Sequence, residues 1–296
     1  MKILVTGGAG FIGTNLIKRL VKEGHKVSSI DNYDSGLESN HQLNVIYKND
    51  DITNIDRMPR DFDKIFHLAA LSRIQPSFNN PSETFRVNAL GTQKVLDFAR
   101  NIGAKVVYAG SSSRWHDPYQ SPYAACKHIG EEICKTYKKT YGMDIEIARF
   151  YNVYGPGEIV EGDWAAVIGI WRRQANAHEP ITIVGDGEQR RDFTHVDDIV
   201  DGLYRIGFKT EIHEDAWELG TGLNYSINEV YLMFKERFGV DFVYIPEQSG
   251  NYRKTLRENN DTIERLNWKP TDKLEDYIFY LNKFRDRKFL VLLKYY

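Results

Sequence analysis

Along the first half of the chain, short apolar runs alternate with longer segments whose apolar positions recur every three or four residues. The short runs lie at 2–6, 26–30, 44–48, 64–68, 105–109 and 144–148, and the helical patterns at 11–23, 81–102 and 123–141. Several runs, KILVT and KVVYA among them, are almost continuously apolar, as strands covered on both faces must be. Such strand–helix alternation predicts an α/β fold built on a doubly wound parallel sheet with right-handed crossovers. A sheet of this kind binds its ligand beyond the carboxyl ends of its strands. After about Gly155 the strand signal thins, and Gly-rich turns appear at 155–157 and 185–187. We therefore expect a first domain over 1–154 and a smaller α/β domain over 155–296, with 195–207 returning to pack on the first.

Composition narrows the function classes. With 39 Lys and Arg against 41 Asp and Glu, the net charge of -2 leaves no basic excess to hold a nucleic acid backbone. No apolar run approaches the roughly 18 residues of a membrane span, and the tail 289–293 (FLVLL) reads as a short packed strand or helix end. Met1 and Lys2 lead directly into a strand rather than a signal peptide. The two cysteines, Cys126 and Cys134, share one helical stretch at a spacing too long to bridge. Neither a disulfide scaffold nor a Cys-based metal site organises this chain, and no metal is expected. A reducing, cytoplasmic setting is the expectation.

The first strand runs into Gly7-Gly8-Ala9-Gly10-Phe11-Ile12-Gly13. Gly7 permits the sharp strand-to-helix turn, Gly10 lets a pyrophosphate approach bare backbone, and Gly13 lets the helix lie close to the sheet. The helix N-terminus then offers free N–H groups and partial positive charge to the phosphates. Phe11 and Ile12 belong to the same turn. The second strand is followed by Asp31, whose carboxylate can accept the adenosine ribose hydroxyls. A lone glycine turn is often only a turn. Strand, glycines, helix, second strand and acid in this order instead describe a Rossmann-type dinucleotide site. Asp31 repels a ribose 2′-phosphate, and only Asn32 and Tyr33 follow it, so the cofactor is read as NAD.

Tyr123 and Lys127 lie four apart at the start of a helical stretch, on one face. A free phenol, with a pKa of about 10, is too weakly ionised to act as a base at neutral pH. A nearby ammonium and a nicotinamide cation both favour the phenolate. The pair alone would read as a packed tyrosine beside a snorkelling lysine. Downstream of a dinucleotide fingerprint, and of Ser111-Ser112-Ser113 at the carboxyl end of the fifth strand, it reads as catalytic, with a serine to donate to the substrate oxygen or relay its proton.

Together these residues resemble the extended short-chain dehydrogenase/reductases, specifically the nucleotide-sugar epimerase/dehydratase family, of the UDP-glucose 4-epimerase type. The resemblance runs over nearly the whole chain. Besides the glycine segment it rests on Asp31-Asn32, Asp51-Ile52, His67-Leu68-Ala69-Ala70, Asn88 with Gly91-Thr92, Tyr123 with Lys127, RFYNVYGP at 149–156, Gly185-Asp186-Gly187, Arg191-Asp192-Phe193, His195-Val196-Asp197-Asp198 and Trp268-Lys269-Pro270. It implies that Asp51 and Ile52 flank the adenine, and that Leu68, Ala69, Ala70, Asn88 and Ser111 line the cofactor site. Tyr123 would be the base. Lys127 would hold the nicotinamide ribose and tune Tyr123. Ser113, beside Ser112 in the substrate pocket, would be the hydroxyl next to the base, and Tyr151 would pack near the nicotinamide. Asn152 and Arg191 would hold the nucleotide diphosphate, with Arg253 adding charge, a contact that suits a guanidinium. A homodimer through helices 81–102 and 123–141 is implied as well. Several of these residues also have plain structural readings. Asn88 can brace a helix, His67 and His195 read as structural rather than as ligands, and Asp197-Asp198 suit a helix start.

Three departures stand out. Tyr123 comes only ten residues after Ser113, where most relatives carry a longer loop, and that short loop holds Arg114, Trp115 and His116, which either contact the sugar or simply shorten the path. The Asp-Glu pair of dehydratases is replaced by Arg114-Trp115, and Gln248 stands where an Arg is expected. The reading that results is an NAD-dependent epimerase of a nucleotide sugar, a UDP-sugar first, working at C4 through a transient 4-keto sugar. A reductase or a decarboxylase on the same frame is the alternative, the latter using Arg114 or Arg253 for a sugar carboxylate. A non-catalytic NAD-binding sensor ranks last, because the Tyr-Lys pair is intact.

Overall fold

The computed structural model describes residues 1–281; the apolar tail at 289–293 lies outside the described residues. In chain order the strands are β1 Lys2–Thr6, β2 Lys26–Asp31, β3 Ile46–Asn49, β4 Lys64–His67, β5 Lys105–Ser111, β6 Ile145–Phe150, β7 Val153–Tyr154, β8 Ile181–Val184, β9 Arg190–Arg191, β10 Thr194–His195, β11 Trp217–Leu219, β12 Tyr225–Ser226 and β13 Phe242–Ile245. The α-helices are α1 Phe11–Lys22, α2 Ile74–Asn79, α3 Pro81–Phe85, α4 Gly91–Ile102, α5 Pro122–Tyr141, α6 Val167–Asn176, α7 Val196–Phe208, α8 Ile227–Phe238, α9 Asp261–Leu266 and α10 Leu274–Tyr280.

Seven strands form one sheet in the order β11-β6-β5-β4-β1-β2-β3, and every pairing in it is parallel. The strand order reverses direction between β1 and β4, which opens a crevice at the carboxyl ends there. Alternate residues feed two cores. Leu4, Ile30, Ile65 and Val106 pack with Val95, Leu96 and Phe98 of α4 on one face. Ile3, Val5, Val27, Phe66 and Val107 pack with Leu16, Ile17 and Leu20 of α1 and Ile199 and Leu203 of α7 on the other. This two-sided burial is why the strand sequences look uniformly apolar.

A third core joins α6, α8, α10 and β8 around Trp171, Phe234 and Ile183. The second lobe is thus held by its own apolar centre. The chain returns to the sheet more often than the sequence reading allowed. Besides α7, the strand β11 becomes the edge of the main sheet, pairing with β6, and Leu266 and Trp268 join the core under α7. Among the described residues, segments beyond 195–207 therefore also pack on the first lobe. A three-residue strand and one indole carry too little periodicity to be seen in the sequence.

The predicted helix at 81–102 is also subdivided. Its middle, Arg86–Leu90, is a π-helical turn between α3 and α4. Such turns arise where a side chain needs a position that a regular helix denies it, and here the turn carries Asn88.

Candidate active site

One cavity of about 620 Å³ runs along the carboxyl ends of the strands, from the β1–α1 turn to the second lobe. At its near end Gly7 adopts φ +70, and a Cβ there would stand 2.8 Å from the Ala69 nitrogen. At Gly13 a Cβ would stand 2.1 Å from the Gly7 carbonyl oxygen. Neither position admits another residue without moving backbone. At Gly10 a Cβ would meet only the Gly7 oxygen, 3.3 Å away, so the space beyond it belongs to the cavity. Gly10 also caps α1 without a side chain, leaving the first turn of the helix, with Phe11, Ile12 and Gly13, on the cavity wall. This is a cradle for a diphosphate.

Asp31 lines the same end. Its two oxygens accept from the Ala9 and Tyr33 backbone N–H groups, each at 2.9 Å, which fixes the carboxylate and leaves lone pairs for ribose hydroxyls. Asn32, Asp51 and Ile52 complete that wall. The Asp51 carboxylate is gripped by both terminal nitrogens of Arg86 (2.8 and 2.7 Å), and that bond, helped by Thr53, holds it far below the usual carboxylate range. Leu68, Ala69 and Ala70 follow at the end of β4. Asn88 does not reach the cavity. Its amide brackets Leu71 instead, donating to the Leu71 oxygen at 2.9 Å and accepting from its nitrogen at 2.8 Å, so it shapes the wall from behind. These features fit a dinucleotide without a 2′-phosphate.

His67, at the end of β4, is structural as read. Thr92 Oγ1 donates its one proton to the Asn88 carbonyl oxygen, so it accepts from His67 Nε2–H at 3.1 Å. Nδ1 is then the acceptor for Thr6 Oγ1 at 2.8 Å. Burial drives the imidazole down to about 3, so it stays neutral.

The candidate reacting groups line the same cavity. Ser121 caps α5 through the Ala124 nitrogen, with Pro122 in the first turn, which sets the register of Tyr123 and Lys127 on the wall. Lys127 Nζ donates to the Ala109 carbonyl oxygen at 2.8 Å, and burial lowers its pKa to about 8. Burial pushes the Tyr123 phenol up, while its hydrogen bond to Ser111 and the charge of Arg73 draw it down. The serine within reach of that phenol is Ser111, with Tyr123 Oη donating to Ser111 Oγ at 3.5 Å. This corrects the placement of Ser113 next to the base. The Ser113 hydroxyl is buried beside the Tyr252 hydroxyl on the same wall and draws that phenol down against the burial that raises it. Strand β5 runs on through Ser111 before the chain turns, and the sequence reading ended that strand two residues early.

Two further assignments change. Tyr151 is almost fully buried and donates to Glu218 Oε2 at 2.5 Å, turned away from the cavity; its neighbour Phe150, last in β6, lines the wall instead. Arg253 is exposed and pairs with Asp186 at 3.0 Å, off the cavity wall. Arg191 and Asn152 do line the far end. Among the described residues Arg191 makes one hydrogen bond, to the Arg190 carbonyl oxygen, and burial lowers it to about 10. The Asn152 amide nitrogen already donates to the Asp192 oxygen and to Thr255 Oγ1.

The short loop after Ser113 is stapled to α5 rather than to the cavity. Arg114 pairs with Glu132 at 2.8 Å and reaches His128 Nδ1 at 3.0 Å. Trp115 donates to Glu218 at 2.9 Å over the guanidinium of Arg149, which is itself buried among Glu131, Asp215 and Glu218. His116 stacks on Tyr252 at 3.9 Å. Arg73, Glu158 and Trp164 line the cavity and had no motif to announce them. Among the described residues no group of His, Cys, Asp and Glu is disposed to hold a metal ion, and no helix is long and apolar enough to cross a membrane.

Residues 3–220 match the model of the NAD dependent epimerase/dehydratase family. A protein of Methanocaldococcus jannaschii described as a putative UDP-glucose 4-epimerase is 32% identical over 93% of this chain and 95% of its own. The UDP-glucuronate 4-epimerase of Thermodesulfobacterium geofontis is 31% identical, covering 92% of each chain. The crystal structure of the Thermotoga maritima UDP-glucose 4-epimerase with UDP-glucose superposes with a TM-score of 0.90 at 28% identity, over 97% of this chain and 99% of that one. The family match reaches from the glycine cradle through the Tyr-Lys pair to the edge strand of the sheet, and this chain belongs to the NAD-dependent epimerase/dehydratase family.

Proposed function

We propose that the protein is an NAD-dependent epimerase of a UDP-sugar that inverts C4 through a transient 4-keto sugar. The observation that carries this is one continuous cavity with Tyr123, Lys127 and Ser111 between a diphosphate cradle at Gly10 and a cationic far end at Arg191. The first lobe and the elements that return to it hold the dinucleotide, and the rest of the second lobe holds the nucleotide sugar. When bound, NAD supplies a reversible hydride acceptor at the sugar C4. The Tyr123 phenolate takes the proton of the C4 hydroxyl as the C–H bond is broken. Ser111 donates to the sugar oxygen and shares the proton with Tyr123. Lys127, anchored on the Ala109 carbonyl oxygen, holds its ammonium below the site and favours the phenolate. Inversion follows when the keto sugar turns over before Tyr123 returns the proton.

Elimination of water finds no support in this chain. Counted from Ser111, the next two residues are Ser112 and Ser113, and neither carries a carboxylate to act as acid or base. A reductase is disfavoured by Asp31, whose charge opposes the phosphorylated dinucleotide such enzymes commonly prefer. A homodimer through α3, α4 and α5, with exposed Phe85, Leu90 and Ile129 on those segments, and a cytoplasmic setting with Cys126 and Cys134 as buried free thiols, complete the proposal.

Proton NMR of the purified protein with UDP-, dTDP-, GDP- and CDP-sugars, without added cofactor, tests it. A new anomeric signal of an isomer from one of them is the expected result. A product that has lost carbon dioxide instead would replace the epimerase with the decarboxylase.

A further inference from the structure

The proposed chemistry at C4 leaves one cation in the cavity without a task. Arg73 lies in the loop between β4 and α2 and lines the wall near Tyr123, whose phenol it influences electrostatically. Its Nε donates to the Trp164 carbonyl oxygen at 2.9 Å, which fixes the plane of the guanidinium. Its two terminal nitrogens make no hydrogen bond or ion pair among the described residues. The other arginines once available for an anion on the sugar are committed, Arg114 to Glu131 and Glu132 and Arg253 to Asp186. Arg191 stands at the far end, beside Tyr252.

Two carboxyl groups share this part of the cavity with Arg73. Glu158 Oε1 accepts from the Tyr277 hydroxyl at 2.8 Å and lies 3.9 Å from Arg172, while its buried Oε2 has no hydrogen-bond partner among the described residues; Glu158 and Arg73 feel each other's charge without forming an ion pair. Asp163 sits on the exposed side of the loop that carries Trp164. A part-buried guanidinium whose terminal nitrogens meet no ion pair among the described residues is open to an anion that joins it. Its planar pair of free N–H donors matches a carboxylate. A neutral hexose brings no charge beyond its diphosphate. A sugar with C4 at Tyr123 places its C5 substituent alongside, and in a uronic acid that substituent is a carboxylate.

We propose, building on the epimerase reading, that Arg73 binds the C5 carboxylate of the sugar and that the substrate class is a nucleotide uronic acid. Arg73 is then a specificity residue. It contacts the substrate away from the carbon that reacts.

Calorimetric titration of the NAD-loaded protein with UDP, UDP-glucose and UDP-glucuronate tests this, on the wild type and on Arg73→Gln and Arg73→Lys. The wild type is expected to bind UDP-glucuronate at least about tenfold more tightly than UDP-glucose, the usual effect of a charge-assisted pair. Arg73→Gln should erase that preference and leave UDP affinity unchanged, and Arg73→Lys should keep part of it. A wild type that binds UDP but does not discriminate between the sugars overturns the proposal alone. So does an Arg73→Gln variant that weakens all three ligands equally, or one that keeps the preference and shifts only the pH profile of turnover. A wild type that binds none of the three overturns the nucleotide-sugar reading as well.

Discussion

Tyr123 works against its own surroundings. Burial opposes the phenolate, so the base role proposed for it depends on the hydrogen bond to Ser111 and the charge of Arg73, with Lys127 proposed to add to them, rather than on an intrinsically acidic phenol. Tyr123→Phe should lower turnover by roughly 10²–10⁴-fold, the usual weight of a positioned general base, with nucleotide binding retained. Ser111→Ala should cost more turnover than Ser113→Ala, because only Ser111 is within reach of the phenol; steady-state rates of the two variants side by side decide this. Glu158 offers a pH test. Burial raises it to about 7 against an ordinary 4.5, so between those values the folded protein holds a proton that the unfolded chain lacks. Stability contributed by Glu158 is thus present at low pH and lost as pH rises through about 7. Relative to wild type, Glu158→Gln should gain on the order of 2 kcal/mol between pH 5 and pH 8, read as the difference in melting curves.

At the scale of elements, the site depends on two helix starts and one π-helical turn. The α1 start is made by glycines, and Gly13→Ala places a methyl group against the Gly7 carbonyl. We expect this variant to lose bound NAD on gel filtration, even where circular dichroism reports a folded chain. The α5 start is made by Ser121. Ser121→Ala removes a buried cap bond and should cost about 1 kcal/mol in denaturant unfolding. It should also lower turnover, since the first turn of α5 carries Tyr123. The π-helical turn that carries Asn88 acts one step further back, by bracing the loop after β4 through Leu71.

Across the whole molecule, the cavity lies where two lobes meet, the sheet with its two cores under α1, α4 and α7 on one side and the third core of α6, α8 and α10 on the other. The chain crosses between them several times, which ties the lobes together and places the far wall against the Tyr-Lys pair. The same architecture leaves Phe85, Leu90 and Ile129 exposed on neighbouring helical segments. Sedimentation at micromolar concentration should report a dimer, and Leu90→Glu with Ile129→Lys should yield a folded monomer.

What could be read from the sequence was whatever short-range chemistry demands. A strand buried on both faces must be apolar, a phosphate turn must have glycines where backbone crowds backbone, and a Tyr-Lys pair must be one helical turn apart. These constraints act between near neighbours, so they leave motifs, and they located the parallel sheet, the Gly7–Gly13 cradle, Asp31 and Tyr123 with Lys127. The remainder depended on packing between distant segments. Three serines in a row are equivalent in sequence, and only the end of β5 singles out Ser111. Adjacent Phe150 and Tyr151 are both aromatic, and only the path of the chain as it leaves β6 sends one to the cavity and the other to Glu218. Arg73 is one cation among many until the fold leaves its terminal nitrogens, among the described residues, without a partner on the wall that carries Tyr123, while Arg114 and Arg253 find carboxylates elsewhere. Which charged group stays unpaired is decided by long-range proximity, and no local pattern records it.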